Sequence, residues 1–193
     1  ALYFLAFVIL FFAIDFTIGK IMEQAFPEIT YGTYGKINTS LKADQDLLIF
    51  GSSRAVHHYN PELLTQGTGM SGYNTGLAGQ GLFYNYALLK DIMQKQKPEL
   101  IILDLSPNII VDPQAYLKLN VFMPYYYGHP SFNEIIRIDP DFSPFKAFFR
   151  IYVYNSTFYD YFRSVISEIP ADNGYEGIKA TMNPDTYLPM QLS

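Results

Sequence analysis

The longest apolar stretch opens the chain. Ala1 to Ile14, ALYFLAFVILFFAI, holds no polar group except the Tyr3 hydroxyl; Asp15 interrupts, and Phe16-Thr17-Ile18-Gly19 continue to Lys20. About 19 such residues suffice to cross a bilayer as a helix. A terminal helix that is apolar all round fits lipid better than a soluble core. Asp15 lies near the end of the run, where a carboxylate can reach the headgroups. A signal peptide needs a small-residue cleavage site just after its apolar core, and Ile18-Gly19-Lys20-Ile21 is a poor one. Residues 1–19 therefore read as an uncleaved transmembrane anchor. Residues 20–43 carry Pro27, Gly32, Gly35 and Asn38-Thr39-Ser40. They read as a membrane-proximal linker, with a short helix from Ile21 to Phe26 that stops at Pro27.

The next pattern has a different period. Leu47-Leu48-Ile49-Phe50 is a short unbroken apolar run that ends at Gly51. Such a run suits a strand buried on both faces of a parallel sheet. Asn60-Pro61 starts a short helix to Gln66, closed by Gly67 and Gly69. Ser71 to Leu77 reads as a second strand. Gln80 to Gln96 predicts an amphipathic helix, with Leu82, Tyr86, Leu89 and Met93 on one face and Phe83 and Ile92 beside them. Leu100 to Leu105 is a third strand, closed by Ser106-Pro107-Asn108. Strands alternating with helices over short connections indicate an α/β fold with a parallel, doubly wound sheet.

After Val111 the pattern changes again. Residues 112–169 read as a mostly helical, aromatic-rich insertion, with helices at Phe132–Ile138, Pro144–Tyr152 and Thr157–Ile166. Residues 170–193 show no clear period. Residues 44–193 thus form one α/β domain, incomplete because the chain opens inside an apolar run and ends without a closing element.

Composition narrows the function classes. A net charge of −5 without a basic stripe argues against a nucleic-acid binder. The absence of cysteine excludes disulfides, thiolate metal sites and cysteine nucleophiles. No His, Asp or Glu pair has convincing metal spacing, and no cofactor is expected. Aromatic residues are 17% of the chain, and more than half of them follow Leu105.

The three strand ends supply the candidate chemistry. Loops at the carboxyl ends of parallel strands are where open α/β sheets bind ligands. The first end offers Gly51-Ser52-Ser53, the second Asn74 through Gly79, and the third Ser106-Pro107-Asn108. A hydroxyl, a flexible backbone N–H and a side-chain amide are the parts that acyl transfer from oxygen requires. Taken alone, Gly51-Ser52-Ser53 reads as a small-residue turn with Ser52 or Ser53 as helix N-cap.

In these three blocks the chain resembles the SGNH (GDSL-like) hydrolase and acyltransferase superfamily. That family has a strand followed by Gly-Asp-Ser, then a block with Asn and Gly, then a strand followed by Gly-x-Asn-Asp. The match covers residues 46–108, about a third of the chain. The resemblance implies a flavodoxin-like three-layer α/β/α domain. It makes Ser53 the nucleophile, and gives an oxyanion hole from the backbone N–H groups of Ser53 and Gly79 and the side chain of Asn108. With the anchor, it points to branches that face the bacterial envelope: single-pass in the inner membrane, the globular domain in the periplasm, acting on acyl (acetyl) esters of envelope glycans. Three departures stand out. Ser52 replaces the Asp, Ser106 and Ile109 replace the Gly and Asp of the third block, and the Asp-x-x-His block that activates the serine does not occur. The resemblance then requires the base to lie beyond these residues. A non-catalytic anchored domain that binds an envelope polymer or scaffolds an acyltransferase is the alternative.

The remaining polar residues have plainer roles. His57 and His58 follow Ser53 too closely to return to its Oγ once a helix begins, and His129 lies in a loop. Arg54 is open between an anionic substrate and a carboxylate of the fold. Asp104, inside an apolar strand, is expected to hold a neighbouring loop. Tyr125 to Tyr127 are expected to pack the insertion rather than stack on sugars.

Overall fold

β1 (Leu47–Phe50) is the centre of the sheet, and all four of its side chains are buried. It pairs in parallel with β2 (Gly72–Asn74) on one side and with β3 (Leu100–Leu103) on the other, giving the order β2-β1-β3. Leu48 sits opposite Tyr73 and Ile101, and Ile49 opposite Asn74 and Ile102. The computed structural model describes residues 1–105, 115–167 and 173–178. Within them the sheet is three-stranded, with helices on both faces. Among the described residues β3 lies at the edge of the sheet, and Leu100, Ile101 and Leu103 are 37–43% exposed.

The two faces of β1 bury different partners. Leu47 and Ile49 pack with Ala55 of α3 (Ser53–His58), Leu64 of α4 (Pro61–Thr68), and Met70. α4 begins as its sequence requires: the Asn60 side chain accepts the Glu62 N–H at 2.9 Å, and Pro61 takes the first turn. Leu48 and Phe50 face the larger core with α2 (Gly32–Lys42) and α5 (Leu82–Ile92). The insertion closes that core through a 3₁₀ stretch (Ala115–Tyr125) and α6 (Pro130–Ile136). Tyr84, Phe122 and Phe132 stack nearly parallel, with centroids 5.2 and 4.3 Å apart.

The connector and α5 differ from the sequence pattern. The segment from Gly32 to Lys42, read as linker, is a helix with Ile37 and Leu41 in the main core. On α5 the buried face carries Tyr84, Asn85, Leu88, Asp91 and Ile92, while Tyr86 and Met93 are exposed. The predicted face was one of two apolar stripes at helical spacing. The other looked polar because of Asn85 and Asp91, and it is buried because both find partners. The helix expected over residues 144–152 divides at Phe149 into α7 (Pro144–Phe148) and α8 (Arg150–Tyr154). α9 (Phe158–Ile166) follows.

α1 (Leu2–Ala25) has 24 residues, about 36 Å of helix at 1.5 Å per residue. It is long and apolar enough to cross a membrane, with a mean hydropathy of 2.3 in its most apolar window. Its buried residues, Asp15, Gly19 and Met22, form one stripe at helical spacing. Asp15 does not depend on headgroups. Its carboxylate accepts the N–H groups of Arg150 (3.0 Å) and Ile151 (3.1 Å), and so caps the start of α8. Replacing Asp15 by Leu leaves both donors without an acceptor, at about 1–3 kcal/mol for each buried group. In Asp15→Leu we expect tryptic cleavage at Arg150 to accelerate at least about tenfold, because α8 opens locally more often. Cleavage at the wild-type rate would mean that the carboxylate does not hold α8.

Candidate active site

The turn after β1 is set by backbone geometry. Gly51 has φ 151°, a region that favours glycine, and a Cβ there would lie 2.7 Å from the Ala55 methyl and 3.0 Å from the Asp104 carbonyl oxygen. The chain then enters α3, with Ser52 as N-cap and Ser53 as the first helical residue. Ser52 makes no side-chain capping bond. Its hydroxyl therefore does not serve the bland role that the sequence allows. Ser53 is exposed at the carboxyl end of the central strand.

The second strand end is tied to the first. The Thr75 N–H and hydroxyl both donate to the Ile49 carbonyl, at 2.8 and 2.7 Å, and the Leu77 N–H donates to the Gly51 carbonyl at 3.2 Å. Asn74 is buried; its amide donates to the carbonyls of Ala55 (2.7 Å) and Tyr59 (2.9 Å), and its Oδ1 accepts the Gly76 N–H. These bonds fix the loop that leads to Gly79 against α3. Gly79 has φ 77° and stands in open space, where a Cβ would meet nothing within 4 Å. Among the described residues, neither the Ser53 nor the Gly79 N–H has a hydrogen-bond acceptor. Asn108, the third expected donor, lies outside the described residues.

One buried residue holding this turn was not recognised in the sequence. Asn85 of α5 accepts the Gly51 N–H at 2.9 Å and donates to the Gly81 carbonyl at 2.8 Å. Its signal was an amide within an otherwise apolar stripe. A second tie comes from far along the chain. The Asn173 carbonyl accepts the Asn74 N–H at 2.8 Å, and the Glu176 N–H donates to the Val56 carbonyl at 3.1 Å.

The charged groups around the turn are largely internal. Arg54 forms a two-pronged ion pair with Asp104, through Nε at 3.1 Å and through its terminal nitrogen. Of its two possible partners the fold's own carboxylate is the one it meets. That hydrogen bond raises the pKa of the guanidinium still further. Asp104 in turn donates its N–H to the Phe50 carbonyl at 2.8 Å. The Asp104 carboxylate thus holds Arg54 of α3 rather than the neighbouring loop expected from the sequence. His57 Nδ1 meets the Glu176 carbonyl at 2.6 Å. Because a carbonyl only accepts, Nδ1 carries the proton. Among the described residues nothing hydrogen-bonds the Ser53 hydroxyl, and no group of His, Asp and Glu could hold a metal ion.

Tyr125 belongs to the core and His129 borders it, whereas Tyr127 is exposed. His129 Nδ1 lies 3.0 Å from the buried Asp91 carboxylate, beside the Phe132 ring. Tyr125 is buried and donates to Asn38 Oδ1 at 2.8 Å. Burial alone raises the Asp91 carboxyl, but the hydrogen bond and charge of His129, with Lys95, outweigh it, so the net shift is downward. A lowered folded-state pKa gives stability that is present above the unfolded value and lost as pH falls through the folded one. The stability advantage of the wild type over Asp91→Asn should therefore be about 1–3 kcal/mol at neutral pH. It should shrink below about pH 4, the ordinary aspartate range. Unfolding of both proteins from pH 7 to 3 tests this, and a difference that does not change with pH would refute it.

Two cavities flank these elements. One, of about 250 Å³, lies between α1, α2 and the insertion, lined by Phe26, Leu41, Tyr125 and His129, and does not include Ser53. The other, of about 360 Å³, is open and mixed in character, with Thr33, Tyr34, Gln80, Asn120, Val121 and Asp160 in its lining. Burial pushes the Asp160 carboxyl up, only partly offset by a backbone hydrogen bond from Tyr34. No protein-family model, curated protein or solved structure matches this chain.

Proposed function

We propose that the chain is a membrane-anchored, serine-dependent esterase or O-acyltransferase with an SGNH-like, flavodoxin-like three-layer domain. Its substrates are acyl esters of cell-envelope glycans, with acetyl esters the first case to test, and its domain faces the periplasm. The observation that carries this reading is the pairing of two strand ends. An exposed serine sits on the first turn after the central strand, and the Leu77–Gly51 bond holds the Gly79 loop beside it.

In this mechanism the Ser53 Oγ attacks the ester carbonyl as its proton passes to a base. The N–H groups of Ser53 and Gly79 and the Asn108 amide take the oxyanion. Collapse releases the glycan alkoxide, which takes the proton from the base and leaves an acyl-serine. Water or a second hydroxyl then accepts the acyl group. The base is the Asp-x-x-His pair that the resemblance places carboxyl-terminal to these residues. The open cavity that includes Gln80, Asn120 and Asp160 offers hydrogen-bonding groups to a sugar.

A biotinylated fluorophosphonate tests this reading. A single adduct on the peptide containing Ser53 is the expected result. The second reading, a non-catalytic anchored binding domain, is favoured by the lack of a described partner on the Ser53 hydroxyl. Failure of the probe to label the folded full-length protein would select it.

A further inference from the structure

The aromatic insertion follows α1 toward the amino terminus, one contact after another. The Arg150 guanidinium meets Glu23 at 2.6 Å. Its Cβ presses on Gly19, where an added methyl would lie only 2.2 Å away. The N–H groups of Arg150 and Ile151 sit on Asp15. Phe149 then packs on Phe11 and Phe12, with centroids 6.1 and 6.2 Å apart, and Phe148 on Phe12 at 5.9 Å. From Gly19 to Phe11 is eight positions of α1, about 12 Å along the axis. Phe148 and Phe149 thus lie beside the apolar part of the helix, well below its charged end, and Phe145 packs on Phe149.

We infer that Pro144–Phe149 is a second membrane-inserted element, an aromatic wedge that enters the leaflet nearer the charged end of α1. The inference rests on the reading of α1 as a membrane span. Given that span, the contacts leave little choice. No depth puts Phe11 and Phe12 in hydrocarbon and leaves Phe148, in contact with Phe12, in water. Phe145 and Phe148 are 71% and 62% exposed, so protein does not cover them among the described residues. Lipid does.

Part of the wedge's backbone is satisfied within the protein, as hydrocarbon demands. Pro144 has no N–H to satisfy. The N–H groups of Ala147 and Phe149 donate to the carbonyls of Ser143 (3.2 Å) and Lys146 (3.3 Å). The Ala147 carbonyl accepts the Tyr127 hydroxyl. The single charge, Lys146, is exposed on a stem long enough to reach the headgroups. Above the wedge, Arg150 is neutralised by Glu23 and stacks over the Tyr127 ring at 4.5 Å.

The chain has no tryptophan, so a single introduced Trp reports its own surroundings. Phe148→Trp and Phe145→Trp would be made in the full chain, with Phe7→Trp on α1 and Tyr86→Trp on the exposed side of α5 as references. Each is reconstituted in phosphatidylcholine–phosphatidylglycerol vesicles, with and without brominated acyl chains. At positions 148 and 145 we expect a blue shift and the loss of most emission to the brominated lipid, as at position 7. We expect aqueous iodide to quench only the position-86 reporter. Quenching of 148 and 145 by iodide while 7 remains in lipid would overturn the wedge and leave the anchor standing. Iodide access at 7 as well would overturn the anchor itself. Shielding of 148 and 145 from both quenchers would mean that a second protein surface covers them, and would also overturn the inference.

Discussion

Ser53→Ala is expected to lower kcat/KM for an acetyl ester by at least about 10³-fold in the full-length protein, because loss of the nucleophile leaves only binding and oxyanion stabilisation. The neighbouring serine is the control. Ser52 makes no capping bond through its side chain, so Ser52→Ala should change turnover by less than about threefold and stability by less than about 0.5 kcal/mol. The contrast separates an active-site turn from a capped one. Both changes remove one hydroxyl from the same turn, and only the nucleophile's role makes them unequal. Equal effects, or an unchanged rate in Ser53→Ala, would sink the serine mechanism. The variant keeps its own backbone N–H, so its residual activity measures what the donors contribute without the nucleophile.

What the sequence made legible depended on how far away each residue's partner lies. β1 was readable because four apolar residues in a row state their own burial, and the structure buries all four. α4 was readable because its cap, first-turn proline and closing glycine are local; Gly69 takes φ 76° at its end. α1 was readable from length and apolarity alone. The partner of Asp15 was not, because it lies 135 residues away on α8. The break at Phe149 was hidden for the same reason: the Asp15 cap that starts α8 comes from another helix. The buried face of α5 was misjudged because Asn85 and Asp91 look like surface residues until Gly51 and His129 are placed beside them. At the candidate site the sequence located the serine and the glycine. Their common position became visible only through the bonds from the residue 75–77 loop to β1 and to Gly51. The connector over residues 32–42 was misread because its two glycines and polar run suggest a loop, whereas Ile37 and Leu41 bury one side of a helix.

Asn85→Leu tests the least obvious of these elements. Leucine has the branched shape of asparagine with bulkier methyl groups in place of the amide, so the change removes the hydrogen bonds and adds some crowding. The Gly51 N–H then loses its acceptor in a buried place, and the Gly81 carbonyl loses its shorter donor. That carbonyl keeps the weaker backbone bond from residue 85 at 3.3 Å. Leaving one buried donor unpaired and weakening a second group should destabilise the protein by about 2–4 kcal/mol. Turnover should fall more than a global loss of stability explains. Gly51 fixes where α3 begins, and a shift of about 1 Å in a reacting group can cost on the order of 10²-fold. Met93→Leu, on the exposed side of the same helix, should leave both quantities unchanged. If Asn85→Leu alters stability alone and the remaining folded enzyme turns over normally, then Asn85 braces the core and not the serine. If it lowers kcat at a temperature where the fold is intact, the amide is a positioning residue for Ser53. Its removal would then leave labelling by a fluorophosphonate slow but still directed to that serine.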